Sequence, residues 1–135
     1  MYIIKERKNK KMFQFYNPNP AGRISVGDCA VRALTKVLGV DWEKAYAMLV
    51  KNGFEMADMP SSNAVIDSVL RQHGFYRQNV PNTCPDCLTI KEFCYKNPVG
   101  TYLVGTGNHV VAIVNGTYFD SWPSGDETIM YFWTK

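Results

Sequence analysis

Histidine is scarce in this 135-residue chain, which has only His73 and His109. Any chemistry that rests on imidazole therefore has two candidates. Cysteine is limited to Cys29, Cys84, Cys87 and Cys94, with a single CxxC among them. Structural zinc wants four ligands, and no second CxxC exists. His73 lies in an amphipathic stretch where a capping or core role is commoner. Cys84-Pro85-Asp86-Cys87 thus reads as a loop with a tight turn, and no metal or other cofactor is expected. A thioredoxin-like role lacks its strand–CxxC–helix setting. Charge of one sign is also in short supply. A net charge of +3 gives no strong bulk pull toward nucleic acid or a membrane. No segment approaches the roughly 20 apolar residues of a spanning helix, so no membrane partner is expected. Met1-Tyr2-Ile3-Ile4 gives way to charges without the apolar stretch and cleavage site of a secretory signal. The expectation is a cytoplasmic protein with reduced thiols.

What is present suits one globular domain. Hydrophobic residues make up 46% of the chain and charged residues 20%, a balance unlike that of disordered proteins. A chain of this length buries enough surface to fold without disulfides. Lys5, Arg7, Lys8, Lys10 and Lys11 crowd the N-terminus, with Glu6 the only acid among them. Residues 1–16 therefore read as a basic, solvated arm and residues 17–135 as a single domain. Asn17-Pro18-Asn19-Pro20 and Gly22 extend the irregular region to residue 28.

From Cys29 the pattern becomes helical. Ala30, Ala33, Leu34, Val37 and Leu38 recur at three and four residues, and Gly39 stands at the stop. Asp41 caps a second helix that Asn52-Gly53 would end, and Ser61 or Ser62 opens a third that runs to Gly74. Thr89 and Glu92 form a capping-box pair at the start of a fourth, which Pro98 terminates. After Gly100 the residues are those of strands, at 101–104, 110–114, 117–122 and 129–133. Helices followed by an antiparallel sheet make an α+β fold.

Two local features carry chemistry. Cys29 opens a helix, where free backbone N–H groups and the positive end of the helix dipole favour thiolate. The same amides suit the oxyanion of an acyl intermediate. Asn115-Gly116 is a strong two-residue hairpin signal. It pairs Val114 with Thr117, Ile113 with Tyr118, Val111 with Asp120 and His109 with Trp122. His109, Asp120 and Trp122 then share a face, with Asp120 diagonal to His109 and able to fix its tautomer. Trp122 lies beside the pair and keeps water from it.

These segments, Gly27-Asp28-Cys29-Ala30-Val31-Arg32-Ala33-Leu34, Gly107-Asn108-His109-Val110-Val111-Ala112-Ile113 and Tyr118-Phe119-Asp120-Ser121-Trp122, resemble the papain-like cysteine peptidases. The likeness is strongest to small papain-fold proteins of bacteria and phages, and it spans roughly residues 17–133. It implies N-terminal helices, with the nucleophile at a helix N-terminus, packed on a C-terminal sheet. It also implies Cys29 as nucleophile, His109 as base, Asp120 as orienting acid, and a peptide or protein substrate in a bacterial or phage-infected cell. In that family a glutamine about six residues before the cysteine supplies an oxyanion donor, and here that place holds Arg23. Asn17, Asn19 or Gln14 are the substitutes to consider. The function expected is cysteine-dependent hydrolysis or acyl transfer at a peptide, isopeptide or related amide bond. The alternative is a catalytically weak or inactive binding module that engages a host or phage protein. A zinc-stabilised nucleic-acid binder, using Cys84, Cys87 and the basic arm, ranks last.

Overall fold

A computed structural model describes residues 12–81 and 83–135. Residues 1–11, which hold the basic cluster, lie outside the described residues. The described residues begin with β1 (Phe13–Phe15), then α1 (Cys29–Leu38), α2 (Trp42–Met56), α3 (Asn63–Gln72), β2 (Tyr76–Asn79), β3 (Leu88–Thr89) and α4 (Ile90–Lys96). They end with β4 (Thr101–Gly105), β5 (Val110–Val114), β6 (Thr117–Asp120), β7 (Thr128–Ile129) and β8 (Tyr131–Thr134). The fold is α+β. None of its described helices is long and apolar enough to cross a membrane.

Helix ends follow local chemistry. The Asp41 carboxylate accepts from the Lys44 N–H, Ser62 accepts from Val65, and Thr89 and Glu92 form a complete capping box. Gly39 closes α1 in the left-handed conformation. Asn52-Gly53 does not end α2, which runs on to Met56. Gly53 is required for closeness instead. A Cβ there would lie 2.9 Å from the Asp58 carbonyl oxygen and 3.2 Å from the Pro60 nitrogen.

Six strands form one sheet in the order β1-β6-β5-β4-β8-β2, and β3 pairs with β7 in a small second sheet. The large sheet is mixed rather than antiparallel, because β1 runs parallel to β6. Residues 13–15 therefore belong to the domain and not to an arm. Three residues on an edge give too short a pattern to stand out, and their partner lies a hundred residues away. The stretch expected as one strand at 129–133 divides into β7 and β8. Met130 sits between them and bonds through its backbone to Val80 and Gly105.

Alternation along the strands gives the sheet two cores. Leu103, Ala112 and Trp133 face α1, α2 and α3, packing on Leu34, Leu49, Val69 and Leu70. Val104, Val111, Ile113 and Tyr118 face the other way, onto Ile90, Phe93 and Cys94 of α4. The expected core role of Cys94 matches this position.

The β5–β6 register follows from its turn. Ala112 pairs with Phe119, Ile113 with Tyr118 and Val114 with Thr117. Asn115 and Gly116 adopt φ values of 50° and 77°, the left-handed pair that a twisted two-residue hairpin needs. A Cβ at Gly116 would also press on the Cys94 carbonyl oxygen at 3.3 Å. Gly116→Val should therefore cost about 1–2 kcal/mol, from left-handed strain alone. Chemical denaturation checks this, and a variant as stable as the parent would contradict the turn assignment.

Candidate active site

Cys29 is the first residue of α1, and Asp28 stands at its N-cap. Asp28 does not cap the helix with its side chain. Its carboxylate is engaged elsewhere: Oδ1 accepts from Arg32 at 2.7 Å, and Oδ2 accepts from the Trp42 indole at 3.0 Å and the Asn19 amide at 3.3 Å. The first turn of α1, which Cys29 opens, is thus left without an aspartate side chain over its N–H groups.

His109 lies just before β5, and Asp120 ends β6. His109 Nε2 and Asp120 Oδ2 are 2.7 Å apart. The other imidazole nitrogen, Nδ1, is the one left for Cys29, whose thiol hydrogen-bonds the His109 ring. Cys29, His109, Val110, Asn63 and Tyr131 line one cleft of about 270 Å³. Trp122 lies against His109 with ring centroids 5.5 Å apart, and at 44% exposure it shields one side of the pair rather than sealing it.

Asp120 is the most heavily bonded side chain in the site. Oδ1 accepts from Arg32 at 3.1 Å and from the Ser121 N–H at 2.7 Å. Oδ2 meets His109 and accepts from the Ser124 hydroxyl at 2.5 Å. Its own carbonyl accepts from the Tyr16 N–H at 2.8 Å, so β1 also helps hold it. Arg32 is buried one turn into α1 and bridges Asp28 to Asp120. An unbroken chain of contacts thereby runs from Trp42 through Asp28, Arg32, Asp120 and His109 to Cys29.

The electrostatics follow from this chain. Burial pushes the Cys29 thiol up, but hydrogen bonds from His109 and the Val110 N–H, with the charges of His109 and Arg32, bring it below its ordinary value. Burial opposes the imidazolium, yet Asp120 and Cys29 raise His109 to about 9. Asp120 is lowered: burial acts against its charge, and His109, Ser124 and the Ser121 N–H outweigh it. Each shift favours the charged form, so the three groups support one another as thiolate, imidazolium and carboxylate.

The other sequence candidates lie elsewhere. Gln14 is on β1, exposed, with its amide donating to the Phe15 carbonyl. Asn19 reaches Asp28 rather than the thiol. Asn17 donates to the Arg23 carbonyl. None of the three lines the Cys29 cleft. His73 ends α3, where its Nδ1–H donates to the Val69 carbonyl at 2.9 Å. Cys84 and Cys87 are joined as a disulfide, which corrects the expectation of reduced thiols in that loop and occupies both sulfurs. Compared with family models, curated proteins and solved structures, the chain matches none.

Sequence reasoning passed over Arg32 and the burial of Asp28. The available signal was an arginine four residues after an aspartate and three after the candidate nucleophile, on a helix whose only other charge is Lys36. Removing the arginine should be costly. Arg32→Met would remove the buried cation that two buried carboxylates share, a loss of about 3–5 kcal/mol. For a domain of this length that is a melting temperature lower by roughly 10 °C or more. Scanning calorimetry reads it directly, and an unchanged melting temperature would rule out the bridge.

Proposed function

We propose that the chain is a papain-like cysteine hydrolase or acyl transferase acting on a peptide, isopeptide or related amide bond. The observation that carries this reading is the continuous set Cys29, His109 and Asp120, with each member's charged form favoured by the next. Structural ion pairs also shift pKa values, but they do not set a partly exposed thiol at a helix start against an oriented imidazole in a cleft.

The steps follow from the geometry. The Cys29 sulfur attacks the substrate carbonyl carbon, and the carbonyl π electrons move to oxygen. The first-turn amides of α1, left open because Asp28 is turned toward Arg32, stabilise that oxyanion. His109, as imidazolium, gives its proton to the departing amine when the C–N bond breaks, leaving a thioester. A water molecule then loses a proton to neutral His109 and attacks the thioester, whose C–S bond breaks to release the carboxylic acid and return Cys29 as thiolate beside protonated His109. An amine that arrives first gives a new amide instead. Asp120 keeps the imidazole in one orientation through both halves and stabilises its cationic form.

One observation favours a second reading, a weak or inactive binding module. The side chains available to replace an oxyanion glutamine, Gln14 and Asn19, are committed away from the cleft. Labelling separates the two readings. An acyl-directed electrophile should modify Cys29 alone, leave Cys29→Ala untouched, and react roughly 10²–10⁴-fold more slowly with Asp120→Asn. Mass spectrometry of the labelled peptides reports the site. Labelling no faster than that of a free thiol, and unaffected at Asp120→Asn, would favour the binding module.

A further inference from the structure

A second cavity of about 410 Å³ adjoins the cleft that holds Cys29. Gly27, Ala30 and Ser61 belong to the walls of both, so an occupant of one sits beside the other. The cavity lies under the loop 19–27 and between α1, α2 and the turn before α3. Its floor and sides are apolar, from Val26, Val31, Trp42, Leu49 and Pro60. The polar groups in the wall are mostly spent. Asp28 is held by Arg32, Trp42 and Asn19, and the indole N–H of Trp42 is given to Asp28. Arg23 differs. It is exposed at the rim, and its guanidinium has no ion-pair partner among the described residues.

Position relative to the chemistry decides which part of a substrate enters. In the mechanism proposed above, His109 delivers a proton to the leaving amine, so that amine departs on the hairpin side of the sulfur. The second cavity has no wall residue from the hairpin or from the segment 105–110 that carries His109. It therefore faces the acyl side. A pocket whose floor and sides are apolar, and whose buried carboxylate is already paired, rewards an apolar occupant.

We propose that this cavity is the acyl-side specificity pocket, taking a large apolar side chain of a peptide substrate, with Arg23 receiving a carboxylate from an adjacent acidic residue. The proposal rests on Cys29 being the nucleophile. The pocket prefers a phenylalanine or leucine side chain to alanine or glycine. Arg23, exposed and able to reach across the rim, adds a smaller preference for Asp or Glu over Lys next to it.

Two probes keep the pocket and the nucleophile apart. Iodoacetamide, which has no side chain to place, measures thiol activation alone. A series of short peptidyl acyloxymethyl ketones, varied in the residue next to the electrophilic carbonyl and in its neighbour, measures the pocket. Full-length protein and the variants Arg23→Glu and Tyr46→Ala, the latter at the half-exposed outer wall, are compared. The expected result is rapid iodoacetamide labelling of Cys29 in all three proteins. Phenylalanyl or leucyl ketones should react roughly tenfold or more faster than the glycyl ketone, from the burial of several methylenes. Tyr46→Ala should narrow that ratio. Arg23→Glu should reverse the acidic-over-basic preference, by roughly threefold for a solvent-exposed pair. Fast iodoacetamide labelling with no discrimination among the ketones would overturn the pocket and leave the nucleophile standing. Slow labelling of Cys29 by both probes would overturn the nucleophile, and the pocket with it.

Discussion

The site depends on one buried guanidinium. Arg32 lies between Asp28 and Asp120 and is ion-paired with both buried carboxylates. Its planar fork serves both at once, which the point charge of a lysine does less well. By taking Asp28 it leaves the first turn of α1, which Cys29 opens, without a side-chain cap. By taking one oxygen of Asp120 it fixes the direction of the other, which faces His109. The helix that presents Cys29 and the hairpin that presents His109 are thus tied together by charge. Tyr16, Ser121, Ser124 and Trp42 complete the hydrogen bonding, and among the described residues no buried side-chain nitrogen or oxygen lacks a partner.

The same network makes stability depend on pH in a definite sense. His109 is raised from an ordinary 6.5 to about 9 in the folded chain. Folding therefore favours the protonated ring. That contribution is complete below about pH 6.5 and is lost as pH rises through about 9. Asp120 runs the opposite way. Its folded value is depressed, so its contribution is present above the ordinary carboxylate value of 3.8 and is lost as pH falls through the lowered one. Cys29 shares the imidazolium's proton equilibrium, so the two titrate as a pair rather than as separate groups. In the pH range between, the imidazolium and the carboxylate are both present.

How much of this the sequence discloses depends on the range of each interaction. The His109–Asp120 pairing is legible because it is local: a two-residue Asn-Gly loop sets register, and register sets the neighbours. Cys29 at a helix start is legible for the same reason, as are the caps at Asp41, Ser62 and Thr89. Arg32 is not, because i, i+4 to an aspartate reads equally well as a solvated surface pair. Its burial goes with the second ion pair, to Asp120, which lies 88 residues away in sequence. β1 is hidden by its distance from β6. Gly53 looks like a helix stop because glycine's use in close backbone approach depends on a loop that arrives later. The Cys84–Cys87 bond runs against an expectation about the redox state of the chain's surroundings, which is not read from the geometry of its loop.

The most direct test of the account is the titration of His109 by NMR, followed through its ring carbon-bound protons with His73 as the internal comparison. The account predicts a midpoint near 9 in the parent protein and a lower one in Cys29→Ala, because the thiolate no longer supports the imidazolium. A further fall in Cys29→Ala/Asp120→Asn would show the carboxylate's share. A midpoint near 6.5 in the parent, unmoved by loss of the cysteine, would contradict the coupled pair on which the proposed chemistry stands.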